Sequence, residues 1–164
     1  MSGPIIALAA GGTGGHLFPA KALASALLTR GPRPVLVTDT RGEAFKIAGH
    51  DLPVHRIAAK SPSGSWLRRL TGGGALAFGV FQARVLLARL APAAVVGFGG
   101  FASVPTVVAA RWLGLPVVLH EQNAVLGRAN RLMARYATTI ATSFAETAGV
   151  PAGDQAKTRA IGNP

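Results

Sequence analysis

Three apolar runs, Ile5-Ile6-Ala7-Leu8-Ala9-Ala10, Val35-Leu36-Val37 and Val117-Val118-Leu119, carry no polar residue on either alternating face. A strand with one wet face alternates polar and apolar residues, whereas an unbroken run belongs to a strand covered on both sides. Stretches with helical spacing separate these runs, so the chain reads as an α/β, Rossmann-like, doubly wound parallel sheet. Strands are predicted over residues 5–10, 34–38, 54–58, 93–97, 116–120, 138–142 and 159–161. Helices are predicted over 19–30, 41–48, 104–113 and 127–136. With 164 residues, 49% of them hydrophobic, one compact core is expected.

In sheets of this kind ligands bind beyond the carboxyl ends of the strands, and three glycine-rich or polar segments follow strands here. The first is Ala10-Gly11-Gly12-Thr13-Gly14-Gly15-His16-Leu17-Phe18-Pro19. Glycines let backbone N–H groups converge on an anion, and Pro19 suits the first turn of a helix whose positive end faces that anion. His16 at its lip reads equally as a general base or as a donor to phosphate. The second loop, Gly97-Phe98-Gly99-Gly100-Phe101-Ala102-Ser103-Val104-Pro105, repeats the design, and two such loops on one rim suit a diphosphate. Tight packing turns are the alternative for each loop. The third segment, His120-Glu121-Gln122-Asn123, puts four polar side chains where buried strand gives way to loop. Such a cluster must be hydrogen-bonded: His120 and Glu121 read as braces and Asn123 as a ligand contact.

Several classes are excluded or demoted. No Gly or Ala stands at Leu17 to complete Gly-x-Gly-x-x-Gly after Gly12 and Gly14, so a dinucleotide oxidoreductase is demoted despite Asp39 after the second strand; no Gly-Lys-Ser/Thr makes a Walker loop. The chain has no cysteine, and its four histidines lack ligand spacing, so no metal site is expected. Residues 91–110 are uncharged, but Pro92, Gly97, Gly99, Gly100 and Pro105 break them into strand, turn and helix, and no transmembrane helix is predicted. Seventeen Lys and Arg against six Asp and Glu give a net charge of +11, which calls for an anionic partner. Charge alone does not choose between phosphorylated ligand, anionic membrane and nucleic acid, but no nucleic-acid motif accompanies it.

Residues 60–90 mix Arg68, Arg69, Arg84 and Arg89 with Trp66, Leu67, Phe78 and Phe81, with Gly72-Gly73-Gly74 read as a break. The part from 77 to 90 is expected to pack on the sheet. Trp66 and Leu67 beside Arg68 and Arg69 suit either a membrane interface or a solvated helix end.

The order and spacing of Ala-Gly-Gly-Thr-Gly-Gly-His-x-Phe-Pro, Gly-Phe-Gly-Gly-Phe-x-Ser-x-Pro, Val-Val-Leu-His-Glu-Gln-Asn and Ile-Gly-Asn-Pro strongly resemble the MurG family of peptidoglycan GlcNAc transferases. The resemblance runs over nearly the whole chain. It implies the N-terminal, acceptor-binding and membrane-associated domain of a GT-B glycosyltransferase. The reaction it implies is inverting transfer of GlcNAc from UDP-GlcNAc to the C4 hydroxyl of MurNAc in lipid I, giving lipid II without a cofactor or essential metal. By motif, Thr13, Gly14, Gly15 and Asn123 match donor positions, Gly12, Gly99, Gly100 and Ser103 the acceptor-diphosphate loops, and His16 the catalytic candidate. Trp66, Leu67, Arg68, Arg69, Phe78 and Phe81 fall where the family docks on the cytoplasmic face of the inner membrane, and no nucleic-acid partner is implied. Phe101 departs from the pattern, standing where many members have Tyr. A C-terminal donor domain is expected to follow residue 164, so the 164-residue chain alone is expected to be inactive. The acceptor half of a naturally split lipid-linked GlcNAc transferase is the alternative.

Overall fold

The computed structural model describes residues 3–11, 14–40, 45–47, 50–59 and 66–163. In chain order these form β1 (Ile5–Ala9), α1 (Gly14–Arg30), β2 (Arg33–Thr38), β3 (Phe45–Ile47), β4 (His50–Leu52), β5 (Val54–Arg56), α2 (Trp66–Leu90), β6 (Ala94–Gly97), α3 (Val104–Trp112), β7 (Val117–Glu121), α4 (Arg128–Met133), β8 (Thr139–Thr142) and β9 (Thr158–Ala160). Short 3-10 turns cover Ala134–Tyr136 and Ala152–Lys157.

The apolar runs become the centre of a seven-stranded sheet ordered β5-β2-β1-β6-β7-β8-β9, every neighbouring pair parallel. Both faces are covered, as unbroken runs require. On one side Ala83 and Leu87 of α2 and Val107 and Ala110 of α3 pack with Val95, Val117 and Leu119. On the other, Ala20 and Ala24 of α1 pack with Leu8, Leu36, Val96 and Phe98. Strand order runs outward in opposite directions from β1 and β6, so the switch point lies between them.

Three expectations are corrected. Helix α1 begins at Gly14, not Pro19, so His16 lies in its first turn and Pro19 inside it. The proline ring costs one backbone bond, to the Gly15 carbonyl, which a helix near its start tolerates. The helix expected over 41–48 is replaced where described by β3, which pairs antiparallel with β4; residues 41–44 and 48 lie outside the described residues. Finally, α2 runs unbroken through Gly72, Gly73 and Gly74. Each glycine costs about 1 kcal/mol of helix propensity, and packing on α3 outweighs it.

The uncharged residues 91–110 are strand, turn and helix as expected. Among the described residues, one helical stretch, Gly72–Leu90, is long and apolar enough to cross a membrane by length and composition. Here it lies along the sheet, with Gly79 against the Ala58 carbonyl and Gln82 Oε1 accepting from Ala58 N at 2.8 Å.

Candidate functional site

Register sets the three rim segments level. Ala9 pairs with Gly97, and Gly97 with Leu119, so the chain leaves β1, β6 and β7 at one edge of the sheet. The first two exits flank the switch point. Each leads into a helix, α1 at Gly14 and α3 at Val104 with Pro105 in its first turn, and neither helix has an acidic residue in its first turn. Two positive helix ends therefore meet at one place.

His16 joins the two loops. A Cβ added to Gly99 would stand 3.2 Å from His16 Cε1, and one added to Gly100 would stand 3.2 Å from His16 Cδ2. Gly11 approaches the same ring, with a would-be Cβ 3.8 Å from Cδ2. Gly99 (φ 91°) and Gly100 (φ 72°) also hold left-handed backbone, so both space and conformation demand glycine there. The imidazole is anchored at Nδ1, 2.8 Å from the Phe98 carbonyl oxygen and 2.8 Å from the Gln122 side-chain amide. Gly15 has open space around it. Gly12 and Thr13 lie outside the described residues, and of Gly14 only its place at the start of α1 is described.

Ser103 is buried, and its hydroxyl donates to the Gly100 carbonyl at 2.8 Å. It closes the second loop on itself instead of capping α3. Phe101 is half-buried and packs against the core.

Glu121 is 1% exposed and accepts four N–H groups: Asn123 N (3.1 Å) and Asn123 Nδ2 (2.8 Å) on Oε1, and Gly127 N (2.8 Å) and Asn130 Nδ2 (2.9 Å) on Oε2. This is the bracing expected of it. Asn123 is exposed at the rim, but its amide nitrogen is engaged by Glu121. His120 is buried against Phe98, ring centroids 5.6 Å apart, and neither ring nitrogen reaches hydrogen-bond geometry. Burial pushes its imidazole below the ordinary value; the neighbouring Gln122 side chain, the Glu121 charge and the Gly162 backbone pull the other way.

Sequence reading missed Asn130 and left Gln122 without a role. Asn130 is 1% exposed and donates from Nδ2 to the His120 carbonyl (3.0 Å) as well as to Glu121. Its one sequence signal is a polar residue on the buried stripe of α4, next to Ala129 and one turn from Met133.

Trp66, Leu67, Arg68 and Arg69 lie in the first turn of α2, and their side chains lie outside the description. Phe78 and Phe81 are 58% and 62% exposed on the same helix. Trp112 at the end of α3 is 66% exposed, and with Phe81 and Arg84 it lines a groove between the two helices.

Residues 6–142 match the glycosyltransferase family 28 N-terminal domain. The chain is 56% identical, over its whole length, to the UDP-N-acetylglucosamine–N-acetylmuramyl-(pentapeptide) pyrophosphoryl-undecaprenol N-acetylglucosamine transferase of Rhodospirillum centenum, covering 43% of that protein. It is 55% identical to the enzyme of the same name from Paramagnetospirillum magneticum over 90% of this chain and 40% of the relative. The crystal structure of Acinetobacter baumannii MurG superposes with a TM-score of 0.80 at 30% identity, over 98% of this chain and 46% of that one. The chain thus spans less than half the length of these relatives.

Proposed function

Since this chain belongs to the glycosyltransferase family 28 N-terminal domain family, we propose that it is the acceptor half of an inverting, UDP-GlcNAc-dependent transferase that converts lipid I to lipid II. The observation that carries this reading is the meeting of two glycine loops at the switch point, with the His16 ring between them. A diphosphate needs several N–H donors from two directions, and the loop amides with the ends of α1 and α3 supply them.

In the proposed reaction the C4 oxygen of MurNAc attacks the anomeric carbon of GlcNAc as the bond from that carbon to UDP breaks. The hydroxyl proton passes to His16, and UDP leaves with the electron pair of the broken bond. Gly99 and Gly100 are assigned to the acceptor diphosphate with Gly12, and Thr13, Gly14, Gly15 and Asn123 to the donor. His120, Glu121 and Ser103 brace these loops. In this reading a second domain supplies the remainder of the donor pocket.

The same reading seats the protein on the cytoplasmic face of the inner membrane. Phe78, Phe81 and Trp112 form an exposed apolar face beside Arg84 and Arg111, suited to an anionic bilayer holding the lipid-linked acceptor.

The test is GlcNAc transfer to a lipid I analogue by the complete protein. His16→Ala is expected to lower kcat by about 10²- to 10⁴-fold, the range for loss of a general base. A variant with unchanged kcat overturns His16 as the base; no transfer by the unsubstituted protein overturns the function.

A further inference from the structure

Two groups compete for one nitrogen of His16. The Phe98 carbonyl oxygen, 2.8 Å from Nδ1, accepts only, so a hydrogen bond there requires the proton on Nδ1. The Gln122 amide, also 2.8 Å from Nδ1, stands with its nitrogen toward the ring, which requires a bare Nδ1. Both contacts form together only if the amide is turned by half a revolution, so that Nδ1–H is shared between two oxygens. The two ends of an amide are nearly alike in shape, and the hydrogen-bond network decides between them. That network favours the turn. In the unturned orientation Gln122 Oε1 is buried without a partner, a costly state for a carbonyl oxygen. The turned amide gives Oε1 the Nδ1 proton and swings its NH2 group to the other side. The ring nitrogens of His120, which the Gln122 side chain neighbours, are likewise buried without partners.

We infer that Gln122 is a positioning residue that, together with the Phe98 carbonyl, fixes His16 as its Nδ1–H tautomer and leaves Nε2 bare beside Gly100. A would-be Cβ on Gly100 stands 3.5 Å from that nitrogen, so the bare lone pair lies where the two glycine loops meet. A neutral imidazole takes a proton only at its unprotonated nitrogen. The inference therefore deepens the transferase reading and rests on it for its consequence, though not for the tautomer itself.

The complete protein labelled with 15N-histidine separates the two. The neutral imidazole of His16 is expected to show Nδ1 protonated and Nε2 unprotonated. Gln122→Met removes the second oxygen, and is expected to shift the tautomer ratio toward Nε2–H and to lower kcat for GlcNAc transfer about tenfold, with KM for the sugar nucleotide within about twofold. Gln122→Glu keeps an acceptor oxygen, and is expected to keep the Nδ1–H signature even if the Met variant fails to fold. An unsubstituted protein with Nε2 protonated, or a Met variant with an unchanged ratio, overturns the inference. The expected tautomers with a His16→Ala variant of undiminished rate would instead overturn His16 as the base, and leave the positioning role standing.

Discussion

Asn130 ties two walls of the site together with one amide group, at a position 1% exposed. Asn130→Leu leaves Glu121 and the His120 carbonyl each short of a donor. Hydrogen bonds to a charged group are worth about 1.5–3 kcal/mol, so urea denaturation is expected to show a loss of at least about 2 kcal/mol. His120 makes a pH-dependent contribution whose direction follows from its burial. The folded chain resists protonating it, while the unfolded chain takes the proton up near the ordinary value of 6.5. The stability it contributes is therefore fully present above pH 6.5 and is lost as the pH falls toward the lower folded value, at no more than about 1.4 kcal/mol per pH unit. His120→Phe, replacing a ring whose nitrogens make no hydrogen bonds, is expected to remove that acid-side slope in denaturation curves taken across this range. The hydrogen bonds of Glu121 were legible because a polar residue at the end of a buried strand must find partners, whereas the ring nitrogens of His120 at the same strand end find none. Asn130 was not legible, because its partners lie nine and ten residues back and helical spacing shows only that it faces inward.

Glycines within α2 play opposite parts. A methyl group on Gly79 would collide with the Ala58 carbonyl and press on Pro105, where the helix lies down on the loop after β5. Gly79→Ala is expected to cost about 1–3 kcal/mol by overpacking. Gly73 and Gly74 are exposed with nothing within 4 Å, so alanine at either is expected to stabilise by about 0.5–1 kcal/mol. Thermal melts of the three variants should therefore move in opposite directions. The parallel strands were legible from unbroken apolar runs, and α3 from its proline start and from Gly114 in left-handed backbone just beyond its end. The early start of α1 and the unbroken α2 were not. Sequence reading treats proline and triple glycine as punctuation, whereas a helix held by tertiary packing runs past both. The strand at Phe45–Ile47 escaped for a related reason: three residues are too few for either periodicity to show.

At the scale of the molecule, the sheet places its glycine loops on one edge while α2 and α3 present Phe78, Phe81 and Trp112 on their outer face. Trp112 was not singled out from sequence, since a tryptophan at the end of a core helix reads as core until the fold exposes it. Phe78→Ser combined with Phe81→Ser is expected to weaken binding to phosphatidylglycerol vesicles about tenfold or more, with an unchanged Tm because both rings are largely exposed. Added salt should weaken what remains, given the net charge of +11. The two loops and His16 together make one proposed diphosphate-binding centre. Its most direct test is titration of a soluble pyrophosphoryl-MurNAc analogue into the 15N-labelled protein. Saturable shifts are expected, concentrated at the amides of Gly11, Gly15, Gly99 and Gly100 and at the His16 ring, together with weaker binding by Gly99→Ala. Saturable shifts confined to another edge of the sheet, or none at these residues, would contradict it.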